Sequence, residues 1–300
     1  MSDINIAVVP VAGMGTRLLP ATKSQPKEML PVGRKPVVQY VVDELSRVGV
    51  TQLLFITGSG KTSIENHFDL NLELTQSLRE DGKEELLSEL AFERAPLQYF
   101  YTRQRRLLGL GHAVLQSESF VGNQPFIVAL GDSIIGMHAE SKIVEKMKQC
   151  YQDNKAVAVI AFEEVPEDEV SQYGIAKPKK NTGQEIFEIE DLIEKPSVQE
   201  SPSNLAVAAR YVLSPSVFEA LRKTKPGAGD EIQLTDAIRI MMQNGGKVYG
   251  VRLSRGEKRY DIGNFGSYFR AFTEFALADE KFGPELREYV KEIIDVDSSK

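Results

Sequence analysis

Apolar runs and apolar stripes alternate along the first half of this chain. Residues 4–11 (INIAVVPV) are continuously apolar and rich in β-branched side chains, the pattern of a strand buried on both faces. A loop rich in Gly, Pro and Lys follows, from Ala12 to about Lys35. Pro36 then opens a predicted helix through Val48, with Val37, Val41, Leu45 and Val48 on one stripe. Residues 53–57 form a second buried strand, and 63–68 belong to a second helix. Residues 70–95 are acidic and amphipathic, which predicts helix lying as a solvated outer layer. Residues 97–101, 126–130 and 156–162 read as further strands, with a helix over 111–118. Strand and helix alternating at this spacing predict an α/β fold: a Rossmann-like, mixed but mostly parallel central sheet flanked by helices.

From about Ser171 the alternation loosens. Short strands at 175–177, 186–190 and 206–213 sit between Pro- and Gly-rich turns, an α+β portion able to build a pocket beside the first half. A helix over 232–243, a strand over 247–253 and two helices after Asn264 complete the pattern. No internal repeat, low-complexity tract or linker interrupts it, so a single domain over 1–300 is expected.

Composition narrows the function. The 300 residues are 42% hydrophobic and 26% charged, ordinary for a globular protein, and the net charge of −7 disfavours a broad nucleic-acid-binding face. An enzyme handling polyanions needs only a positive cleft. The one cysteine, Cys150, excludes an intrachain disulfide. The start, Met1-Ser2-Asp3-Ile4, is acidic where a signal peptide is basic, and no apolar stretch approaches the roughly 20 residues of a membrane span. A cytoplasmic protein with no membrane partner is expected.

The chemistry begins directly after the first strand, in Val11-Ala12-Gly13-Met14-Gly15-Thr16-Arg17. Glycines there let backbone N–H groups approach a phosphate or base, and Arg17 adds a fixed positive charge. The dinucleotide fingerprint G-x-G-x-x-G fails at Leu18, and the second strand runs into Gly58 with no acidic residue for a ribose, so a dehydrogenase is disfavoured. A ligand-free structural turn is the alternative reading. Lys27 lies ten residues beyond Arg17 on the same loop; the pair suits a triphosphate, although two ordinary surface cations would look the same. The segment Thr57-Gly58-Ser59-Gly60-Lys61-Thr62 imitates a P-loop, but Phe55 stands where its first glycine belongs. The run Arg103-Gln104-Arg105-Arg106 reads as a solvated patch or subunit contact; the amide of Gln104 could pair with a base edge. His67, His112 and His138 lack metal-ligand spacing and read as surface or helix-cap residues.

The stretch VVPVAGMGTRLLPATKSQPKEMLPV resembles the sugar-nucleotide pyrophosphorylase signature, in particular that of the bacterial UTP–glucose-1-phosphate uridylyltransferases. The likeness continues at GLGHAVL (109–115), QYGIA (172–176), EKP (194–196), SNLAVAARYVL (203–213), PGAGDEIQLTDAI (226–238) and the IGN after Asp261, covering nearly the whole chain in order. GAGDEIQLTDAI and ENHFD (65–69) point to the uridylyltransferases rather than the thymidylyltransferases. The resemblance implies that UTP and glucose 1-phosphate become UDP-glucose and pyrophosphate with Mg²⁺ as cofactor, in a homodimer or homotetramer. It implies a mainly nucleotide-binding half (1–170), a mainly sugar-binding half (171–262) and C-terminal helices (263–300).

It also implies residue roles. Ala12, Gly13 and Gly15 would contact the nucleotide, with Glu28, Gln104 and Gly111 completing the nucleoside site. Arg17 and Lys27 would hold the phosphates that leave. Asp132 would bind Mg²⁺, with Asp261 as a further ligand or close neighbour. Gly174 and Glu194 would bind glucose hydroxyls, and Lys195 the sugar phosphate. The Thr57–Thr62 segment would be a connection whose basic residues are not catalytic. Gly131 stands before the aspartate where relatives often carry proline, which implies a looser loop with the carboxylate retained. A catalytically silent paralogue would be expected to lose part of the charged set, and Arg17, Lys27, Asp132 and Lys195 are all present.

Overall fold

Successive residues of the first strand feed opposite apolar layers: Ile6 and Val8 join one buried cluster, Ala7 and Val9 another. That is why the run is apolar without alternation. The computed structural model describes residues 3–179 and 184–298; Met1 and Ser2, read above against a signal peptide, and the last two residues of the C-terminal portion lie outside them. The strands are β1 (Ile6–Pro10), β2 (Pro31–Val32), β3 (Lys35–Pro36), β4 (Gln52–Thr57), β5 (Gln98–Arg103), β6 (Phe126–Ala129), β7 (Ser133–Ile135), β8 (Ala158–Glu164), β9 (Gly174–Pro178), β10 (Ile186–Glu194), β11 (Leu205–Leu213), β12 (Val248–Arg252) and β13 (Arg259–Asp261).

Nine of them form one sheet in the order β5-β4-β1-β6-β11-β8-β12-β10-β9. The pairs β4–β5, β1–β4, β1–β6 and β8–β12 are parallel, whereas β10 and β11 run against their neighbours. The mixed, mostly parallel sheet expected from the pattern is therefore observed. From β1 the chain moves outward through β4 to β5, then returns to add β6 on the other side of β1. The switch point where α/β sheets bind ligands thus lies between the loops that leave β1 and β6.

The helix Val37–Arg47 starts one residue after Pro36, which stands at its N-cap with extended backbone. The helix expected over 111–118 is two pieces, Leu110–Leu115 and Glu118–Val121. Residues 70–95 are largely helical and exposed, with Leu78 turned inward. Two helices without a prior reading, Ile143–Asn154 and Ser216–Lys223, cover the sheet. The helix Phe265–Ala278 is opened by an Asn264–Ser267 capping box. No helix among the described residues is long and apolar enough to cross a membrane.

A separate ribbon, β7 against β13, carries Asp261 to the β6 loop. A third apolar cluster, containing Leu18, Leu30, Ile134, Tyr260, Ile262 and Phe275, ties that ribbon to the long loop after β1 and to the helix Phe265–Ala278. Packing, more than sequence proximity, brings the functional loops together.

Candidate functional site

The loop after β1 folds back on itself. Gly15 takes a left-handed conformation (φ 67°), and Thr22 Oγ1 donates to its carbonyl at 2.8 Å. A short turn then exposes Arg17, and a second turn, Lys27–Met29, carries Lys27 and Glu28. These two neighbours go separate ways. Lys27 donates to Asp132 Oδ2. Glu28 is buried and accepts from Lys61 Nζ at 2.8 Å. Burial pushes the Glu28 carboxyl up, while Lys61 and Lys27 pull against it.

The segment that imitated a P-loop does connect β4 to a helix (Thr62–Phe68). It also presses on the loop after β1: a methyl group on Gly58 would stand 2.8 Å from the Ala12 carbonyl oxygen. Lys61 therefore supports the predicted nucleoside-site carboxylate from beneath, a task that its spacing gave no sign of.

Asp132 and Asp261 come side by side because Ile262 N–H donates to the Asp132 carbonyl (2.9 Å) and Asp261 lies opposite Ser133 in the β7–β13 ladder. Burial pushes Asp132 up, but the Lys27 ammonium more than offsets it and holds that carboxyl below the usual range. Asp261 goes the other way: burial and the Asp132 charge raise it, against Arg259, Lys27 and Arg17. Burial is the foremost influence on both carboxyls, and the close Lys27 ammonium is what separates Asp132 from Asp261. Gly131 does not loosen this loop. A methyl group there would lie 2.5 Å from Val11 Cγ1 and 3.3 Å from Val9 Cγ1, so the loop is pressed onto β1.

Gln104 and Gly111, expected to complete the nucleoside site, are both buried among neighbouring segments. Gln104 is buried, its amide nitrogen 3.1 Å from the Gly109 carbonyl and 2.9 Å from His112 Nδ1. The Gly111 N–H is taken by the Ile232 carbonyl at 2.9 Å. His112, read as a surface or cap residue, is half-buried against Gln104 and is held below the usual range by burial and Arg106.

A cleft of about 610 Å³ contains Arg17, Asp132, Arg259 and Asp261 in its wall, and a cavity of about 150 Å³ adjoins it through the shared residues Leu130, Gln172, Tyr173 and Arg259. The smaller cavity contains Gly174 and Glu194. Thr235 Oγ1 donates to Glu194 Oε2 at 2.9 Å, and a methyl group on Gly174 would come 2.9 Å from Thr235 Cγ2, so the wall requires glycine. Lys195 adopts φ 47°, donates its N–H to the Tyr173 carbonyl at 2.9 Å, and leaves its side chain half-exposed near Glu194 (3.7 Å). Arg259 went unnoticed in the sequence. It pairs with Glu163 (2.5 Å), lies over the Tyr173 ring (4.7 Å) and lines both cavities. Its signal was available: it stands two residues before Asp261 on a strand, hence on the same face.

Cations converging on paired carboxylates at the switch point, beside a small polar cavity, define an enzyme that transfers a phosphate-bearing group. Residues 6–277 match the Nucleotidyl transferase family. The chain is 44% identical to the UTP–glucose-1-phosphate uridylyltransferase YngB of Bacillus subtilis, across 96% of this chain and 95% of that protein. Among solved structures it resembles the UTP-bound UGPase of Acinetobacter baumannii (TM-score 0.84, 37% identity, 96% of this chain and 99% of that one). It also resembles a UDP-glucose pyrophosphorylase complexed with UDP-glucose (TM-score 0.81, 37% identity, 91% and 98%). The chain belongs to the nucleotidyl transferase family, and within it to the UTP–glucose-1-phosphate uridylyltransferases.

Proposed function

We propose that UTP and glucose 1-phosphate meet in the paired cavities and leave as UDP-glucose and pyrophosphate, the sugar phosphate attacking the α-phosphorus of UTP in line. The observation that carries the site assignment is the meeting of Lys27, Asp132 and Asp261 at the switch point. A phosphate monoester with its second pKa near about 6 is already mostly dianionic at neutral pH, so the nucleophile needs no general base. The protein's task is to align two polyanions and offset charge as pyrophosphate leaves.

In this reading Ala12, Gly13 and Gly15 bring backbone N–H groups to the nucleotide, and Arg17 and Lys27 bind the departing phosphates. Glu28, clamped by Lys61, faces the nucleoside; Gln104 and Gly111 shape that wall through the contacts they already make. Glu194, oriented by Thr235, takes sugar hydroxyls, Gly174 admits the ring, and the half-exposed Lys195 binds the sugar phosphate.

The carboxylate pair fits Mg²⁺. Among the described residues no group of three or more His, Cys, Asp or Glu converges. One or two carboxylates completed by substrate phosphates and water is the arrangement Mg²⁺ favours, and Asp132 and Asp261 supply such a pair on the cleft wall. Bound there, Mg²⁺ supplies positive charge toward the phosphates. We read the chain as one catalytic domain and as a homo-oligomer, because its C-terminal helices expose Phe269, Phe272, Tyr289, Ile293 and Ile294. A lone cysteine suits the reducing cytoplasm.

The test is pyrophosphate release across nucleoside triphosphates and sugar 1-phosphates. UTP with glucose 1-phosphate should give the highest kcat/KM; a preference of about tenfold or more for dTTP overturns the assignment.

A further inference from the structure

Arg210 on β11 and Glu44 on the helix Val37–Arg47 form an ion pair with both side chains 0% exposed. Arg210 Nε and Nη2 donate to Glu44 Oε2 at 3.0 and 2.6 Å. Glu44 Oε1 is buried with no hydrogen-bond partner. Burying two charges in this manner gains little over filling the same space with apolar side chains, so stability alone does not account for the pair. The other contacts of the guanidinium suggest what does.

Arg210 Nη1 donates to the Ala209 carbonyl (3.1 Å), and Nη2 donates to the Ser133 carbonyl (3.0 Å). Ala209 lines the smaller cavity. It lies where the β11–β8 register is interrupted, between Val207 and Tyr211, and it is held at φ 58°, a conformation costly for a residue with a β-carbon. Its carbonyl also takes the Leu130 N–H at 3.1 Å, the residue before Gly131-Asp132. Ser133 follows Asp132 and stands opposite Asp261 in the ribbon. One buried side chain thus grips the wall of the sugar cavity and Ser133, the residue that follows Asp132 and pairs with Asp261.

We propose that Arg210, oriented by Glu44, is a positioning residue that fixes the sugar cavity relative to the Asp132–Asp261 pair, and so the attacking phosphate relative to the bound nucleotide. Arginine is suited to this because its planar fork satisfies several acceptors at fixed angles, whereas a lysine ammonium is a single point donor. Glu44 sets the orientation of that fork. The inference rests on the site reading above. That reading has its own test, the loss of turnover in Asp132→Asn, whose outcome does not depend on Arg210.

The experiment uses two variants of the full chain. Arg210→Lys keeps the charge beside Glu44 but not the fork; the double variant Glu44→Leu, Arg210→Met replaces the pair by apolar side chains. Each is assayed well below its unfolding midpoint, with steady-state kinetics, Mg²⁺ titration and direct UTP binding. Because small misplacements of reacting groups cost heavily, kcat/KM for glucose 1-phosphate should fall by about tenfold or more in both. Half-activation should move to higher Mg²⁺, while UTP binding stays within about twofold. A folded variant of either kind with parent-like kinetics and Mg²⁺ dependence overturns the proposal, as do equal losses for UTP and glucose 1-phosphate. If the double variant fails to fold, Arg210→Lys decides.

Discussion

Lys61 and Glu28 form an ion pair 2.8 Å long, with their side chains only 6% and 2% exposed. It joins the segment that imitates a P-loop to the loop that resembles a nucleotide site. The basic residues of this segment are expected not to be catalytic, and the contact gives Lys61 a structural task instead. Breaking a buried pair from one side leaves an uncompensated charge and costs about 3–5 kcal/mol. Lys61→Met should therefore unfold at lower temperature and bind UTP more weakly, with less effect on glucose 1-phosphate. The pH dependence has a definite sign. Burial already raises the Glu28 carboxyl, and removing Lys61 raises it further. The unfolded chain ionises alike in both proteins, so the stability deficit should be smallest at acid pH and grow as pH rises from the parent's raised folded pKa to the variant's higher one. Thermal melts from acid to neutral pH measure it; a pH-independent deficit contradicts this account.

Asp132 holds Lys27 and adjoins Asp261. Asp132→Asn keeps the shape and removes the charge, so kcat should fall by roughly 10²-fold or more, in line with losing one transition-state stabiliser. Asp261→Asn should raise the Mg²⁺ needed for half-activation if that carboxylate is a ligand, and lower kcat with a smaller Mg²⁺ shift if it only orients its neighbour. Normal turnover and Mg²⁺ dependence in Asp132→Asn would move the metal site elsewhere.

Lys195 reaches its position through a strained backbone, with its ammonium near Glu194 and half in solvent. A hydrogen bond to a charged phosphate is worth about 1.5–3 kcal/mol, so Lys195→Ala should raise KM for glucose 1-phosphate on the order of 10- to 100-fold. KM for UTP should change little. Similar rises for both substrates would remove Lys195 from the sugar-phosphate site.

Cys150 is buried in the helix Ile143–Asn154, and burial pushes its thiol up to about 11. At pH 8 only about one in a thousand such thiols is ionised, and the thiolate is the reactive form. Alkylation of the folded enzyme should be far slower than in denaturant, with activity retained. Rapid native labelling would show that this helix opens readily.

The strand β1, the loop after it, the β4-to-helix connection and the carboxylate beyond β6 were legible in the sequence, because each is announced within a few residues. Apolar continuity signals burial on two faces, glycine signals a turn, and an acidic residue closing a core strand is visible as such, although its role as a ligand was implied by resemblance alone. The pairing of Asp261 with that carboxylate was implied by resemblance, and no local pattern specified the ribbon that creates it. Gly131 was misjudged for the same reason: its freedom is taken away by Val11 and Val9, residues of another segment.

The sequence by itself determined which segments bury themselves and which side chains could carry phosphate chemistry, since periodicity and residue type are local properties. The tertiary structure alone decided who meets whom. Lys27 finds Asp132 across 105 positions, and Arg210 finds Glu44 across 166. Both meetings depend on the strand order that sets β6 beside β1 and β11 beside β6, and on the packing of the helix Val37–Arg47 against the sheet. A buried charge needs a partner but does not name one; only the packed sheet supplies it.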